Sequence, residues 1–302
     1  MKVLITGGSG LIGSALTKRL LLEGVEVTHL TRTKNSKLGV KTYVWDWKKS
    51  YLEENALDGV THIIHLAGAG IADKPWTMAR KRVIIKSRVL TARLLEKEIR
   101  KSNHKLEAFI SASGIGYYGA TTSDEIYTEE GKRGDDFVAE CCVQWEDAAN
   151  ELNDLTRVVT LRTGIVLDKD GGAVAKIGSS IRRGIGAALS SGEQYMPWIH
   201  LDDMVDVYYQ SLMNSNIVGC YNAVSDEHIN NKTFTKELAD AMNRKLWLPN
   251  VPAFMMKMIF GEMSEILLKG SRVSNAKMKS AGIKFKYSKL KPALTSLYEK
   301  KS

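Results

Sequence analysis

Near the start of the chain stands Thr6-Gly7-Gly8-Ser9-Gly10-Leu11-Ile12-Gly13. It joins a short β-branched run, Val3–Thr6, to a helical pattern over Leu11–Leu22 that ends near Gly24. Two glycine spacings coexist, Gly8/Gly10/Gly13 and Gly7/Gly10/Gly13. Glycine lets the chain turn tightly off a strand, lets backbone approach a pyrophosphate, and lets helix and strand pack closely. The helix start then offers free N–H groups and the positive end of its dipole. A strand before the loop and a helix after it are the context this motif requires. The reading is a dinucleotide cradle, with Gly7, Gly10, Leu11, Ile12 and Gly13 as contacts.

Outward from the loop, β-branched runs alternate with helical patterns. Strands are expected at Val25–Thr31, Lys41–Trp45, Thr61–Ala67, Ala108–Ser113 and Arg157–Thr163, with helices at Ala79–Arg100 and Asp136–Leu152. This alternation predicts an α/β fold, a doubly wound parallel sheet of the Rossmann type. Residues 1–165 would form the nucleotide-binding domain, with segments 195–225 returning to it. Residues 166–302 would form a smaller C-terminal α/β substrate or cap region. After 165 scattered glycines suggest a looser stretch, followed by a helix near Asp203–Met213, a strand at Cys220–Ala223 and a helix near Lys232–Asn243. The Met-rich run from Val251 to Gly270 is expected to pack as a cap on the main domain. At the end of the second strand Thr31-Arg32 stands where an acid would grip the ribose hydroxyl of NAD. An arginine there suits the 2′-phosphate of NADP(H), the alternative being a solvated surface arginine.

The chain has 302 residues, 44% hydrophobic and 25% charged, a composition of ordinary globular proteins. No apolar run approaches the roughly 18–20 residues needed to cross a bilayer, and no signal peptide is evident. The expected location is cytoplasmic. Three cysteines, two of them adjacent at Cys141-Cys142, fit neither a disulfide framework nor a metal site, so no metal is expected. The net charge of +9 is concentrated in residues 251–302, with eleven Lys/Arg against three Glu. Without a nucleic-acid motif this reads as a solvated basic face. The expected partner is a small-molecule substrate, with no nucleic acid and no membrane, on a monomer or homodimer.

Further stretches carry a resemblance. They include His65-Leu66-Ala67-Gly68-Ala69-Gly70-Ile71, Pro75-Trp76-Thr77, Ser111-Ala112-Ser113-Gly114-Ile115-Gly116-Tyr117-Tyr118-Gly119 and Trp145-Glu146. Arg162-Thr163-Gly164-Ile165-Val166-Leu167, Pro197-Trp198-Ile199-His200 and Phe260-Gly261-Glu262-Met263 follow. With the glycine loop they resemble, almost end to end, an atypical branch of the extended short-chain dehydrogenase/reductases. These are the epimerase family proteins with a C-terminal domain of unknown function. The resemblance implies NADP(H) binding, with Leu66, Ala67 and Gly68 along the nicotinamide ribose. It also implies that Arg88 reaches the cofactor from the long helix, that backbone at Ile165 lies near the nicotinamide, and that Asp46 contacts adenine.

The superfamily uses a Tyr and a Lys four residues later, the lysine lowering the tyrosine pKa for proton transfer. Aligned on Glu146, those positions here hold Val138 and Cys142, which cannot do that work. Candidate catalytic groups are therefore Ser113, Tyr117 and Tyr118 on the loop after the fifth strand. His200, just before Asp202-Asp203, reads as a helix cap, and the paired cysteines read as inert core. The expected activity is an NADP(H)-dependent oxidoreductase acting on a small carbonyl, alcohol or nucleotide-sugar-like compound. A non-catalytic NADP(H) sensor and a sugar-nucleotide epimerase remain as alternatives.

Overall fold

Residues Val3, Leu4 and Ile5 are wholly buried because each side of their strand meets a different helical layer. The computed structural model describes residues 1–34, 38–102 and 105–299. Its strands are β1 (Lys2–Thr6), β2 (Glu26–Thr31), β3 (Lys41–Asp46), β4 (Tyr51–Leu52), β5 (His62–His65) and β6 (Ala108–Gly114). They continue with β7 (Ile126–Tyr127), β8 (Arg157–Thr163), β9 (Ile165–Leu167), β10 (Trp198–His200), β11 (Gly219–Ala223) and β12 (Arg272–Val273). Eight form one sheet in the order β11-β8-β6-β5-β1-β2-β3-β4. Every pair in it is parallel except β3 with β4. The order reverses at β1, which opens a crevice beyond the carboxyl ends of β1 and β5.

The helices are α1 (Leu11–Leu22), α2 (Met78–Ser102), α3 (Phe137–Asn150), α4 (Gly172–Arg182) and α5 (Leu201–Met213). They continue with α6 (Asn231–Ala241), α7 (Ala253–Phe260), α8 (Glu265–Leu268), α9 (Ala276–Ser280) and α10 (Leu290–Tyr298). Strand side chains alternate between faces. Val3, Ile5, Ile64, Ile110 and Val159 meet Leu16 and Leu20 of α1 and Met204 and Tyr208 of α5. Leu4, Ile63, Phe109 and Val158 instead meet Leu94 and Leu95 of α2 and Ala149 of α3. This is the doubly wound α/β arrangement, with apolar side chains on both faces of each central strand. A separate cluster joins Val174 and Ile181 of α4, Phe234 and Leu238 of α6, and Leu294 of α10.

The C-terminal chain is stitched to the sheet by polar bonds. Asp203, 3% exposed, accepts the backbone N–H groups of Lys286 and Tyr287 at 2.7 and 3.0 Å. His200 caps α5 by accepting the Asp202 N–H at Nδ1, 3.0 Å, as its place before two acids suggests.

One expectation changes. The glycine-rich stretch after 165 holds a regular helix, α4. Its Gly178 lets Met242 and Tyr298 approach so closely that a methyl group there would sit 3.4 Å from the Met242 sulfur. The Met-rich segment 251–270 is tied to the rest of the chain, Glu262 pairing with Lys81 and the Leu267 carbonyl accepting from Gln194 at 3.0 Å, yet it leaves much of its apolar surface uncovered. In α7 only Met256 is buried, while Phe254, Met258 and Ile259 are 67, 74 and 62% exposed. Each forgoes burial worth about 1.5–3 kcal/mol, so the outward face is not explained by the fold. Of the basic tail, Lys300 and Lys301 lie outside the described residues.

His65 ends β5 in full burial. Its Nε2 lies 2.9 Å from Thr91 Oγ1, which itself donates to the Ser87 carbonyl, and its Nδ1 faces the Trp145 indole N–H at 3.4 Å. Both neighbours suit the neutral ring. Burial, then the Arg88 charge, pushes its pKa down to about 3. The unfolded chain therefore binds a proton that the folded chain refuses between pH ~6.5 and ~3, and stability falls as pH falls through that window. Between pH 7 and pH 4 His65 should account for a loss on the order of 3 kcal/mol. Urea titrations from pH 7 to pH 4 check this, since His65→Asn should flatten the slope. An unchanged slope would show that His65 does not contribute.

Candidate functional site

The carboxyl ends of the parallel strands bring the sequence candidates to one edge. Gly7 follows β1 with φ +71°, a conformation that favours glycine. A Cβ on Gly7 would stand 3.0 Å from the Leu66 carbonyl carbon. Gly10 closes the turn, its N–H donating to the Gly7 carbonyl at 3.0 Å. A Cβ on Gly13 would collide with the Gly7 carbonyl oxygen and lie 2.7 Å from the Gly8 Cα. The α1 N-terminus has no side-chain cap, so the first N–H groups, Leu11 and Ile12 among them, have no capping side chain to compete with an anion.

A second layer braces the cradle. The Gly8 backbone rests on the His29 ring, where an added Cβ would be 2.5 Å from Cε1. His29 Nε2 lies 2.8 Å from Thr17 Oγ1, which donates to the Gly13 carbonyl. Burial lowers the His29 pKa, so the ring is a neutral prop. Thr6 Oγ1 accepts the N–H groups of Leu66 and Ala67, both at 3.1 Å, and locks the ends of β1 and β5 together.

Arg88 of α2 lies under the next residues. Its Nη1 donates to the Ala69 carbonyl at 3.0 Å and to Ile84 at 2.9 Å, and its guanidinium stacks over Trp145. Gly68 passes so near that a Cβ would be 3.0 Å from the Arg88 Cζ. Burial lowers the Arg88 pKa, and among the described residues no carboxylate pairs with it. Arg32, just past β2, is exposed with no ion pair among the described residues. Thr31 turns its hydroxyl to the Thr33 carbonyl at 2.7 Å. Asp46 engages its own turn, Oδ1 accepting the Lys48 N–H at 2.9 Å. Ile165 begins β9, its N–H held by the Pro197 carbonyl at 2.8 Å. The loop before α4 reaches back over the cradle, where a Cβ on Gly171 would lie 2.9 Å from Leu11 Cδ1.

Beside this groove lies a buried polar cluster. Arg162 of β8 makes a two-pronged ion pair with Glu146 of α3, at 2.9 and 2.8 Å. Ser113 donates to the same carboxylate at 2.7 Å. Tyr118 accepts from Arg162 at 3.0 Å and donates to Asn222 at 2.7 Å. It is 1% exposed, and burial pushes its pKa up to about 12. Ser113 and Tyr118 therefore spend their hydroxyls inward. Tyr117 differs: its ring lies flat beneath Arg162, with the guanidinium carbon 3.3 Å from the ring centroid, and edge-on to Tyr118. Among the described residues its hydroxyl has no hydrogen bond. The sequence flagged the three hydroxyls but not the Glu146–Arg162 pair that sorts them. The available signal was two charges inside segments reading as buried helix and strand.

Val138 and Cys142 of α3 face this loop, a Cβ on Gly116 meeting the Val138 side chain and lying 3.7 Å from the Cys142 sulfur. Apolar packing fills the place of the dyad. Burial pushes the Cys142 thiol up to about 12 and raises Cys141 as well, so neither is a thiolate near neutral pH.

Fold and loop together define an extended short-chain dehydrogenase/reductase. Residues 3–136 match the NAD dependent epimerase/dehydratase family, and residues 251–297 match a domain of unknown function, DUF1731. An Arabidopsis thaliana chloroplastic homologue of epimerase family protein SDR39U1 is 33% identical over 99% of this chain and 87% of its own. The crystal structure of human SDR39U1 with NADPH superposes with a TM-score of 0.89 at 30% identity, covering 99% of both chains. A Thermus thermophilus UDP-glucose 4-epimerase structure, 20% identical, shares the fold at a TM-score of 0.77 over 98% of both chains. The chain belongs to the epimerase family proteins of the SDR39U1 type.

Two outcomes follow from the packing. Gly8→Ala should lower stability by about 1–3 kcal/mol by displacing His29, and His29→Ala in the same chain should restore part of it. Strictly additive losses in thermal melts would refute the contact. Cys141 and Cys142 should react with a thiol reagent at pH 8 only upon unfolding. Rapid labelling of the native chain at either residue would contradict the burial.

Proposed function

We propose that the chain is an NADP(H)-dependent oxidoreductase of the cytoplasm that reduces or oxidises a small carbonyl, alcohol or nucleotide-sugar-like compound without a Tyr/Lys pair. The observation that carries the cofactor is the glycine cradle with Arg32 just past β2, exposed and without an ion pair among the described residues. The NADPH in the human relative's structure supports the same choice. Gly7, Gly10, Leu11, Ile12 and Gly13 would hold the pyrophosphate and Arg32 the 2′-phosphate, while Leu66, Ala67 and Gly68 would line the ribose, Arg88 bracing the backbone at Gly68 and Ala69. When bound, the nicotinamide supplies or takes up the hydride.

The proton is the chain's own task. Ser113 and Tyr118 are committed to the buried cluster, which leaves Tyr117 as the phenol free to hold a substrate oxygen and pass it a proton. Its ring is fixed between Arg162 and Tyr118, so orientation costs little at the moment of reaction. The cluster also favours a second reading, a non-catalytic NADP(H) sensor, because its hydrogen bonds are complete without substrate.

Fluorescence titrations with NADPH and NADH test the cofactor assignment. Arg32→Asp should weaken NADPH about ten- to hundredfold and leave NADH nearly unchanged, whereas equal losses would remove Arg32 from the site. Across a panel of carbonyl compounds, Tyr117→Phe should abolish most NADPH oxidation. Full turnover by that variant would end the role given to Tyr117. Tight NADPH binding with no turnover of any compound would favour the sensor.

A further inference from the structure

The largest unexplained feature is apolar and lies outside the cofactor groove. Within residues 247–259, Trp247 is 76% exposed, Leu248 48%, Phe254 67%, Met255 38%, Met258 74% and Ile259 62%. On α7 the four outward residues span about 140° of the helix, while Met256 is buried.

The surface is firmly built. The Val251 N–H donates to the Ala188 carbonyl at 2.8 Å, and the Asn250 side chain donates to the Ser190 carbonyl at 2.9 Å. Past the helix, Glu262 pairs with Lys81 at the start of α2. A frayed end would have no such anchors.

Its charge selects the occupant. Residues 241–261 contain Arg244, Lys245 and Lys257 and no Asp or Glu. None of the three cations has a carboxylate partner among the described residues. A two-fold contact with a second copy through this segment would set these cations against their own images with no acid within the segment to answer them. A helical peptide partner would call for a groove that shelters its apolar face, whereas the four outward side chains of α7 are 38–74% exposed. Exposed Trp, Phe, Met and Ile flanked by Lys and Arg match what enters the headgroup boundary of a bilayer, with the cations attracted to anionic lipid.

We infer that α7 with residues 244–248 is a docking surface for anionic phospholipid membranes, holding the protein on the bilayer without crossing it. This sets aside the sequence expectation that no membrane takes part. It stands independently of the cofactor and of any turnover.

Co-sedimentation of the full chain with vesicles tests the inference. The chain should pellet with equal-part phosphatidylglycerol/phosphatidylcholine vesicles at low salt, and poorly with phosphatidylcholine alone. Phe254→Ser combined with Met258→Ser should lower the partition by about tenfold or more, as should Lys245→Glu combined with Lys257→Glu. Both pairs are exposed, so circular dichroism should show an unchanged fold. No binding to anionic vesicles at low ionic strength would overturn the inference. So would binding that survives the Phe254/Met258 pair, since charge alone would then carry it. A concentration-dependent dimer in sedimentation velocity, dissolved by the same pair, would give the face to a second copy instead.

Discussion

Glu146 and Arg162 form an ion pair in which both side chains are less than a tenth exposed, and the arrangement around the groove follows from it. An unpaired charge in such a place costs about 3–5 kcal/mol when its partner is removed. The pair therefore fixes α3 against β8. Around it Ser113, Tyr118 and the Glu129 carbonyl take the remaining hydrogen-bonding positions, and Asn222 extends the network to β11. The flat face of the guanidinium is left for the Tyr117 ring. One interaction thus orders four elements and decides which hydroxyls are spent and which is free.

Much of the nucleotide-binding half was legible because its rules are local. A Gly7/Gly10/Gly13 turn between strand and helix has a backbone reason for each glycine, and those reasons reappear as close approaches. Continuous apolar runs such as Val3–Ile5 marked strands buried on both faces. The substrate side was less legible because its determinants are distant in sequence. Nothing near Ser113 announces that a carboxylate thirty-three residues on will accept its hydrogen bond. Nor does the tyrosine pair reveal that one hydroxyl is buried and hydrogen-bonded while its neighbour's has no hydrogen bond among the described residues. Short strands such as β7 and β12, two residues each, carry no periodicity to read. In the Met-rich segment the sequence was silent for a different reason: helical spacing of apolar residues reports a face, not what covers it.

Val138 and Cys142 have a structural logic of their own. Packed against Gly114 and Gly116, they fill with apolar atoms the place where a proton relay stands in related enzymes. The loop is held close by shape rather than by charge.

The way β11 joins the sheet has a consequence for synthesis. β8 is complete at Thr163, yet the strand that covers its outer edge begins only at Gly219. Between them lies α5, whose Asp203 waits for backbone donors at Lys286 and Tyr287. While the ribosome is still elongating, β8 presents unpaired N–H and C=O groups along one side, a template for wrong pairing. The sheet gains its last strand only when about three quarters of the 302 residues have been made. The nascent chain is therefore most open to wrong pairing while the residues between Thr163 and Ala223 are being added, with its glycine cradle already made.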